Sequence, residues 1–210
     1  MIKNWKKFLW PYQQAVNELK VKFRGLRVSY LDQTNHSPIE FVTGRVKPVE
    51  SIEEKLTRRY VSEELIEQDL QDIAGIRIMC PFIEDVYQVI DVIHSRTDMT
   101  VVEERDYIEN DKPSGYRSYH MVIEYPVYQY NEEKKVVLAE IQLRTLSMNF
   151  WATLEHSLNY KYPADYAPEI KDRLKEVAQK AYELDVEMSA IREEIETSHK
   201  RQELTKNLKQ

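Results

Sequence analysis

Residues Asp72-Ile-Ala-Gly75-Ile-Arg77-Ile-Met79 restrict the possible folds more than any other stretch. A carboxylate precedes a glycine that can turn the chain. Beyond it Ile76, Ile78 and Cys80 alternate with Arg77 and Met79, and Pro81 closes the run. This is the pattern of a short, largely buried strand entered from a helix-to-strand corner. A buried strand carries an arginine beside a carboxylate only when the two are paired or bind something charged. On these residues alone both readings stand: a structural Asp72–Arg77 pair, or a site.

A second strand points to the site. In Val136 to Arg144 one face reads Val137, Ala139, Ile141, Leu143, while the other ends in Glu140, Gln142, Arg144. One face is core and the other turns polar partway along, which carries functional groups on a rigid element. Glu140 is the natural partner of Asp72, because two carboxylates converging from different elements can hold Mg²⁺ between phosphate oxygens.

Upstream, Phe41-Val-Thr43-Gly44-Arg45-Val-Lys47-Pro48 reads as a strand turning into a helix, with Pro48 suited to a first turn. Lys47, Ser51, Lys55 and Arg58 follow at spacings of four, four and three, so they share one helix face. Ile52, Leu56 and Tyr60 occupy a neighbouring face that can be buried. Cations ranked behind a helix N-terminus make a track for a polyphosphate, although lysine-bearing helix faces are often simply solvated. Further on, Lys112 and Ser114-Gly115-Tyr116-Arg117-Ser118-Tyr119-His120 combine a glycine turn with aromatic rings and cationic donors. Such groups suit a nucleobase and its phosphates, or else belong to a tyrosine-rich edge strand.

The remaining segments are mostly helical. Trp5, Phe8, Leu9, Tyr12, Val16, Leu19, Phe23 and Leu26 recur at helical spacing opposite a basic face, with Pro11 starting a new helix or kinking one. A turn is expected over 32–38, an acidic helix over 61–74, a helix from Phe82 to His94 and a strand from Met99 to Arg105. The helix from Leu146 to Tyr160 is expected to pack Leu146, Phe150, Leu154 and Leu158. From Ile170 to Ile195 apolar residues alternate spacings of four and three, a heptad seam that must pack on its own domain or on another subunit.

Composition excludes several classes. The net charge of −6 and pI of about 5.5 predict no whole-molecule attraction to nucleic acid, so any phosphate site is a local cluster. One cysteine, Cys80, rules out an internal disulfide and a cysteine metal cage, and reads as a core residue in a reducing cytoplasm. No apolar run approaches the about 18 residues of a membrane span, and Met1-Ile-Lys-Asn-Trp-Lys-Lys contains no signal-peptide core. The glycines, Gly25, Gly44, Gly75 and Gly115, assemble neither a P-loop nor a dinucleotide fingerprint.

Five stretches together resemble the synthetase domain of the RelA/SpoT-homology family, in particular its short members, the small alarmone synthetases. They are Thr43-Gly-Arg-Val-Lys-Pro48, Gln71-Asp-Ile-Ala-Gly-Ile-Arg77, Ser114-Gly-Tyr-Arg-Ser-Tyr-His120, Glu140-Ile-Gln-Leu-Arg-Thr145 and Asn149-Phe-Trp-Ala-Thr-Leu-Glu-His156. The resemblance implies an α/β (α+β) fold, a mixed sheet flanked by helices, similar to the nucleotidyltransferases and ending in a long C-terminal helix. It implies a synthetase domain over 1–165 and a helical extension for oligomerisation over 166–210. The implied reaction moves pyrophosphate from ATP to the 3′-hydroxyl of GDP or GTP, with Mg²⁺, giving ppGpp or pppGpp and AMP. No His-Asp dipeptide occurs, so the hydrolase half of the long members is not expected.

By the same resemblance Arg45 and Arg77 sandwich the adenine, while Lys47, Ser51, Lys55 and Arg58 hold the ATP phosphates. Asp72 binds Mg²⁺, and Glu140 is a second metal ligand or the base that activates the hydroxyl. Tyr116 stacks on the guanine, Asn149 and Ala152 lie near the base edge, and Arg105, Lys112, His120 and Gln142 face ribose and phosphate. Phe41 and Thr43 are implied to bind (p)ppGpp as an allosteric activator in a homotetramer, Lys20 and Lys22 of the basic N-terminal helix being able to meet its phosphates, unless Phe41 is simply a strand-end core residue; a single-stranded RNA regulator is a further implied partner. Two other readings remain at this point: a polymerase-type nucleotidyltransferase, and a non-catalytic nucleotide- or RNA-binding oligomeric protein.

Overall fold

The computed structural model describes residues 2–59, 65–128, 133–161 and 167–207. The chain runs α1 (Trp5–Thr34), β1 (Phe41–Val46), α2 (Val49–Arg59), α3 (Ile66–Asp69), β2 (Ala74–Cys80), α4 (Ile83–His94), β3 (Thr100–Asp106), β4 (Tyr119–Tyr128), β5 (Lys134–Thr145), α5 (Leu146–Lys161) and α6 (Pro168–Asn207). The strands form one mixed sheet in the order β1-β2-β5-β4-β3, with β2 and β5 parallel and the other pairs antiparallel. The expected mixed sheet with flanking helices and a long C-terminal helix is therefore what the chain forms.

Period-two alternation divides the sheet into two unlike faces. Val42, Ile76, Ile78, Met121, Ile123, Ala139, Ile141 and Leu143 join one continuous core with Tyr12, Val16, Leu19 and Phe23 of α1 and Val86, Val89 and Ile90 of α4. The opposite face carries the polar residues. Register sets Thr43 beside Arg77, Arg45 beside Gly75, Gly75 beside Glu140, Arg77 beside Gln142, and Gln142 beside His120, which itself faces Arg105. Gly44 lets α1 approach the sheet: a Cβ there would stand 2.7 Å from Ile76 Cδ1 and 3.1 Å from Val16 Cγ1.

Pro11 neither starts nor divides a helix, because α1 passes through it as a single 30-residue element. The lost backbone bond, about 3 kcal/mol in an isolated helix interior, is offset by burial of Tyr12, Ala15, Val16, Leu19 and Phe23. Asn4 caps the start by accepting from the Lys7 N–H at 3.0 Å, and Asn35, at φ 56°, ends the helix in the left-handed region. The turn expected over 32–38 thus begins only at Asn35.

The acidic helix expected over 61–74 contracts, within the described residues, to the single turn of α3. Residues 60–64, including Tyr60, lie outside them. The Lys47 N–H donates to the Ile73 carbonyl at 2.8 Å, so strand pairing claims the backbone that a longer helix would need.

The two C-terminal helices depart most from expectation. On α5 the buried side chains are Met148, Trp151 and Ala152, while Leu146, Phe150, Leu154 and Leu158 face outward. On α6 Ala178 and Asp185 are buried, yet six residues of the heptad seam (Ile170, Val177, Leu184, Met188, Ile191 and Ile195) remain 40–55% exposed. The contact between α5 and α6 is made by Trp151 and Ala152 with Ala178 in one cluster, the alanines allowing close approach of the helices and the Trp151 indole N–H donating to the Leu174 carbonyl. The apolar stripes are left over.

Candidate active site

A cleft of about 250 Å³ opens on the polar face of the sheet, lined by Thr43, Gly44, Arg45, Lys47, Asp72, Gly75, Ile76, Arg77, Glu140 and Gln142. Seven candidate site residues from the sequence meet here, drawn from β1, the link from β1 to α2, the turn before β2, β2 itself and β5.

Asp72 is paired, though not with Arg77. Lys47 Nζ donates to its Oδ2 at 2.7 Å and Lys55 Nζ to its Oδ1 at 2.9 Å. Two members of the expected helical track therefore converge on this carboxylate. Burial works to raise the Asp72 carboxyl, but the two lysine hydrogen bonds outweigh it and hold the group below the usual carboxylate range. Ser51 is half-buried in the first turn of α2, and Arg58 is exposed towards its far end. A lysine pair already neutralising a carboxylate can turn to phosphate oxygens when a cation takes its place.

Glu140 sits in a hydrogen-bonded ring. His120 Nδ1 lies 3.0 Å from Oε1, and Gln142 Nε2 donates to Oε2 at 2.8 Å. An ionised carboxylate only accepts, so the His120 proton belongs on Nδ1, leaving Nε2 to accept from the Tyr116 hydroxyl at 2.7 Å. Arg144 Nη2 donates to that hydroxyl at 2.6 Å and to Gln142 Oε1 at 2.9 Å, and Arg77 Nε reaches the same Oε1 at 3.2 Å. Every member has its donors and acceptors matched, which fixes the carboxylate's orientation. Burial raises the Glu140 carboxyl; the hydrogen bonds from His120 and from the Gln142 amide outweigh it, and the net direction is downward. The Asp72 charge pushes the other way, as expected of carboxylates sharing a cleft.

Two arginines, Arg45 and Arg77, also line the cleft. Burial lowers the Arg77 guanidinium, and the nearby charges of Arg144 and Arg45 lower it further. Arg45 and Arg77 line the cleft with Arg144 buried behind them, and like charges held this near one another cost free energy that an entering anion relieves.

Of the residues that the resemblance assigns to the acceptor, Tyr116, Lys112 and Ala152 lie near one another beyond the ring. Tyr116 packs against the Trp151, Ala152 and Ala178 cluster, and Lys112 Nζ stands 4.5 Å from the Tyr107 ring centroid and 5.0 Å from that of Tyr116. Asn149 is half-buried on α5. Arg105 is exposed and hydrogen-bonds Glu103 on its own strand. Phe41 and Thr43 are exposed on β1, and Lys20 is half-buried on α1. Lys22 is held elsewhere: its Nζ donates to Asp98 at 2.6 Å and lies 4.8 Å from the Tyr125 ring centroid. Tyr125 is on β4, with β2 and β5 intervening between that strand and Phe41.

Arg144 was not assigned a role from sequence, although alternation had placed it on the polar face. It is 4% exposed and joins Tyr116, Gln142 and the Ser118 hydroxyl. Its neighbours, not its spacing, reveal its part. Cys80 is core as expected, its thiol pushed well up by burial and then by the Asp85 charge.

This arrangement has close counterparts. A model of a region found in RelA / SpoT proteins matches residues 44–165. The GTP pyrophosphokinase YjbM of Bacillus subtilis (strain 168) is 55% identical over 194 residues, 92% of this chain and 91% of that protein. The crystal structure of small alarmone synthetase 1 from Bacillus subtilis bound to its product pppGpp matches with a TM-score of 0.87 at 54% identity, covering 91% of this chain and 97% of that one. The same synthetase bound to AMPCPP gives 0.80 at 50% identity, with 91% and 97% covered.

Proposed function

The chain belongs to the family of the RelA and SpoT proteins, and on that premise we propose that it is a GTP pyrophosphokinase that transfers pyrophosphate from ATP to the 3′-hydroxyl of GDP or GTP. The hydroxyl oxygen bonds to the β-phosphorus, the bond from that phosphorus to the α–β bridging oxygen breaks, and AMP leaves. The products are ppGpp or pppGpp. One observation carries the reading: Asp72 with its two lysines and Glu140 with its ring lie in one cleft lined with arginine.

Each group then has a task. Arg45 and Arg77 flank the adenine, and Lys47, Ser51, Lys55 and Arg58 take the ATP phosphates, placing fixed cations where charge accumulates in the transition state. Glu140, ionised at neutral pH and held by His120 and Gln142, receives the hydroxyl proton or binds metal. Tyr116 stacks on the guanine, with Asn149 and Ala152 at its edge and Arg105, Lys112, His120 and Gln142 towards ribose and phosphate.

Asp72 and Glu140 fit Mg²⁺. Both are hard oxygen donors, and the described residues contain no larger group of His, Cys, Asp or Glu that could cage an ion. Such a pair suits a cation that keeps waters and phosphate oxygens in its shell. Bound there, Mg²⁺ supplies neutralising charge at the transferring phosphates.

The working form is a homo-oligomer, a tetramer, supported by the apolar stripes of α5 and α6 that a single chain leaves exposed. Residues 1–165 form the synthetase domain and 166–210 the assembly extension. Product (p)ppGpp acts as an activator at exposed Phe41 and Thr43 with Lys20; Lys22, engaged by Asp98 and Tyr125, is the weakest member of that set. The protein works in the cytoplasm, in keeping with its single buried thiol, and no helix among the described residues is long and apolar enough to cross a membrane.

Incubation with ATP, GDP and Mg²⁺, followed by anion-exchange chromatography, should give AMP and ppGpp in equal amounts. Release of free pyrophosphate would mean nucleotide transfer instead, and absence of turnover would mean a binding protein.

A further inference from the structure

We propose that Tyr182, on α6, is a positioning residue for the acceptor nucleotide, acting through Arg117 on the loop that presents Tyr116. The inference rests on the acceptor site proposed above and adds a helix outside the cleft to its machinery.

The loop between β3 and β4 is closed by its own backbone: Gly115 N–H donates to the Lys112 carbonyl at 2.7 Å, Lys112 N–H to Tyr116 at 3.2 Å, and Tyr107 N–H to Ser118 at 3.0 Å. These bonds shape the loop without saying where it sits. Its position comes from α6. Gly115, at φ 85°, lies so close that a Cβ on it would stand 2.5 Å from Ala178 Cβ and 3.6 Å from the Lys175 backbone. Two residues on, the Arg117 guanidinium stacks 3.9 Å from the Tyr182 ring centroid. The same guanidinium donates to the Ile108 carbonyl and pairs with Asp111 at 3.5 Å, so it ties both limbs of the loop to that ring.

Tyr116, between these two anchors, is directed to the ring of groups around Glu140 through its hydroxyl contacts with His120 and Arg144. Ala178 and Tyr182 are four residues apart and share a face of α6. That helix is itself set against α5 by the Trp151 indole N–H, which donates to the Leu174 carbonyl at 2.9 Å. A planar guanidinium on an aromatic face fixes both distance and tilt, which a flexible ammonium does not. Loss of the ring would leave the loop's internal turns intact and free its tilt, so the acceptor base would meet a misplaced Tyr116.

The test is a split between substrates. Tyr182→Ala should raise KM for GDP by about three- to tenfold, with KM for ATP within twofold of the native value. Tyr182→Phe keeps the ring and should restore native behaviour. Arg117→Lys keeps the charge, loses the planar stack, and should behave like Tyr182→Ala should that variant fold poorly. Calorimetric titration with GDP alone, without ATP, should show the same ordering of affinities, so the loop's role is read even if turnover proves to be of another kind. Equal rises in both KM values, a fall in kcat alone, Tyr182→Phe as impaired as Tyr182→Ala, or native GDP affinity in all three variants would overturn the proposal.

Discussion

Lys55 reaches from the middle of α2 to Asp72 Oδ1 at 2.9 Å, while Lys47, just ahead of that helix, holds Oδ2 at 2.7 Å, so one carboxylate joins two cations of the basic row. Asp72→Asn keeps an acceptor and removes the charge. Turnover should fall more than tenfold, equivalent to about 1.4 kcal/mol of barrier. The unfolding free energy should drop by no more than about 1.5–3 kcal/mol, the range for hydrogen bonds to a charged group. Steady-state rates and thermal denaturation check both; a rate above a tenth of native would dismiss the metal and phosphate role.

Tyr116 has two separable parts. Tyr116→Ala should raise KM for GDP far more than KM for ATP, because stacking of about 1–3 kcal/mol is lost at one base only. Tyr116→Phe keeps the ring but removes the hydroxyl that links Arg144 to His120. It should leave KM for GDP near native and lower kcat several-fold. An equal effect of both variants on KM would reduce the tyrosine to a packing residue.

Acid sensitivity follows from three carboxylates held below their usual range. Asp72 and Glu140 are described above; for Asp98 the Arg96 hydrogen bonds come first, burial opposes them, and Lys22 adds to the lowering. A depressed folded-state value means the stabilisation is fully present above the unfolded carboxylate range, about pH 4, and is lost as pH falls through the folded values. Denaturant midpoints should therefore stay level from neutral pH to about pH 5 and then decline. Asp98→Asn should flatten part of that decline without altering turnover. Stability that increased on acidification would contradict the assignment.

Leu184→Glu combined with Ile191→Glu places two charges on the exposed stripe of α6, where the native side chains are 55% and 40% exposed. Burying an unpaired charge in a subunit contact is strongly unfavourable. Multi-angle light scattering should show a shift to smaller species. A native protein that already elutes as a monomer would remove the stripe from any subunit contact.

Added pppGpp should raise the initial rate several-fold, the size of a coupling free energy of about 1–3 kcal/mol. Phe41→Ala should abolish that rise. Simple inhibition by product would place no activator site on β1.

What the sequence determined by itself was which residues share a face. Period-two alternation set Glu140, Gln142 and Arg144 on one side of a strand, and helical spacing set Ser51, Lys55 and Arg58 on one side of a helix, because both patterns are properties of the local backbone, whereas Lys47 precedes that helix. The corner at Asp72 and the Tyr116 turn were legible for the same reason, as glycine positions mark where the chain bends. Partners were not. Arg77 stands five residues from Asp72, yet Asp72 bonds Lys47 from the end of β1 and Lys55 from α2, and Arg77 bonds Gln142, since the β1–β2 and β2–β5 registers, not sequence distance, decide what meets. His120 reaches Glu140 only because β4 and β5 pair with Gln142 opposite it. Periodicity likewise found the apolar stripes of α5 and α6 without saying which would be covered. That choice fell to Ala152, Trp151 and Ala178, whose shapes let the two helices meet while the larger stripes stayed outside, since burial depends on which surfaces fit together and not on hydrophobicity along one chain.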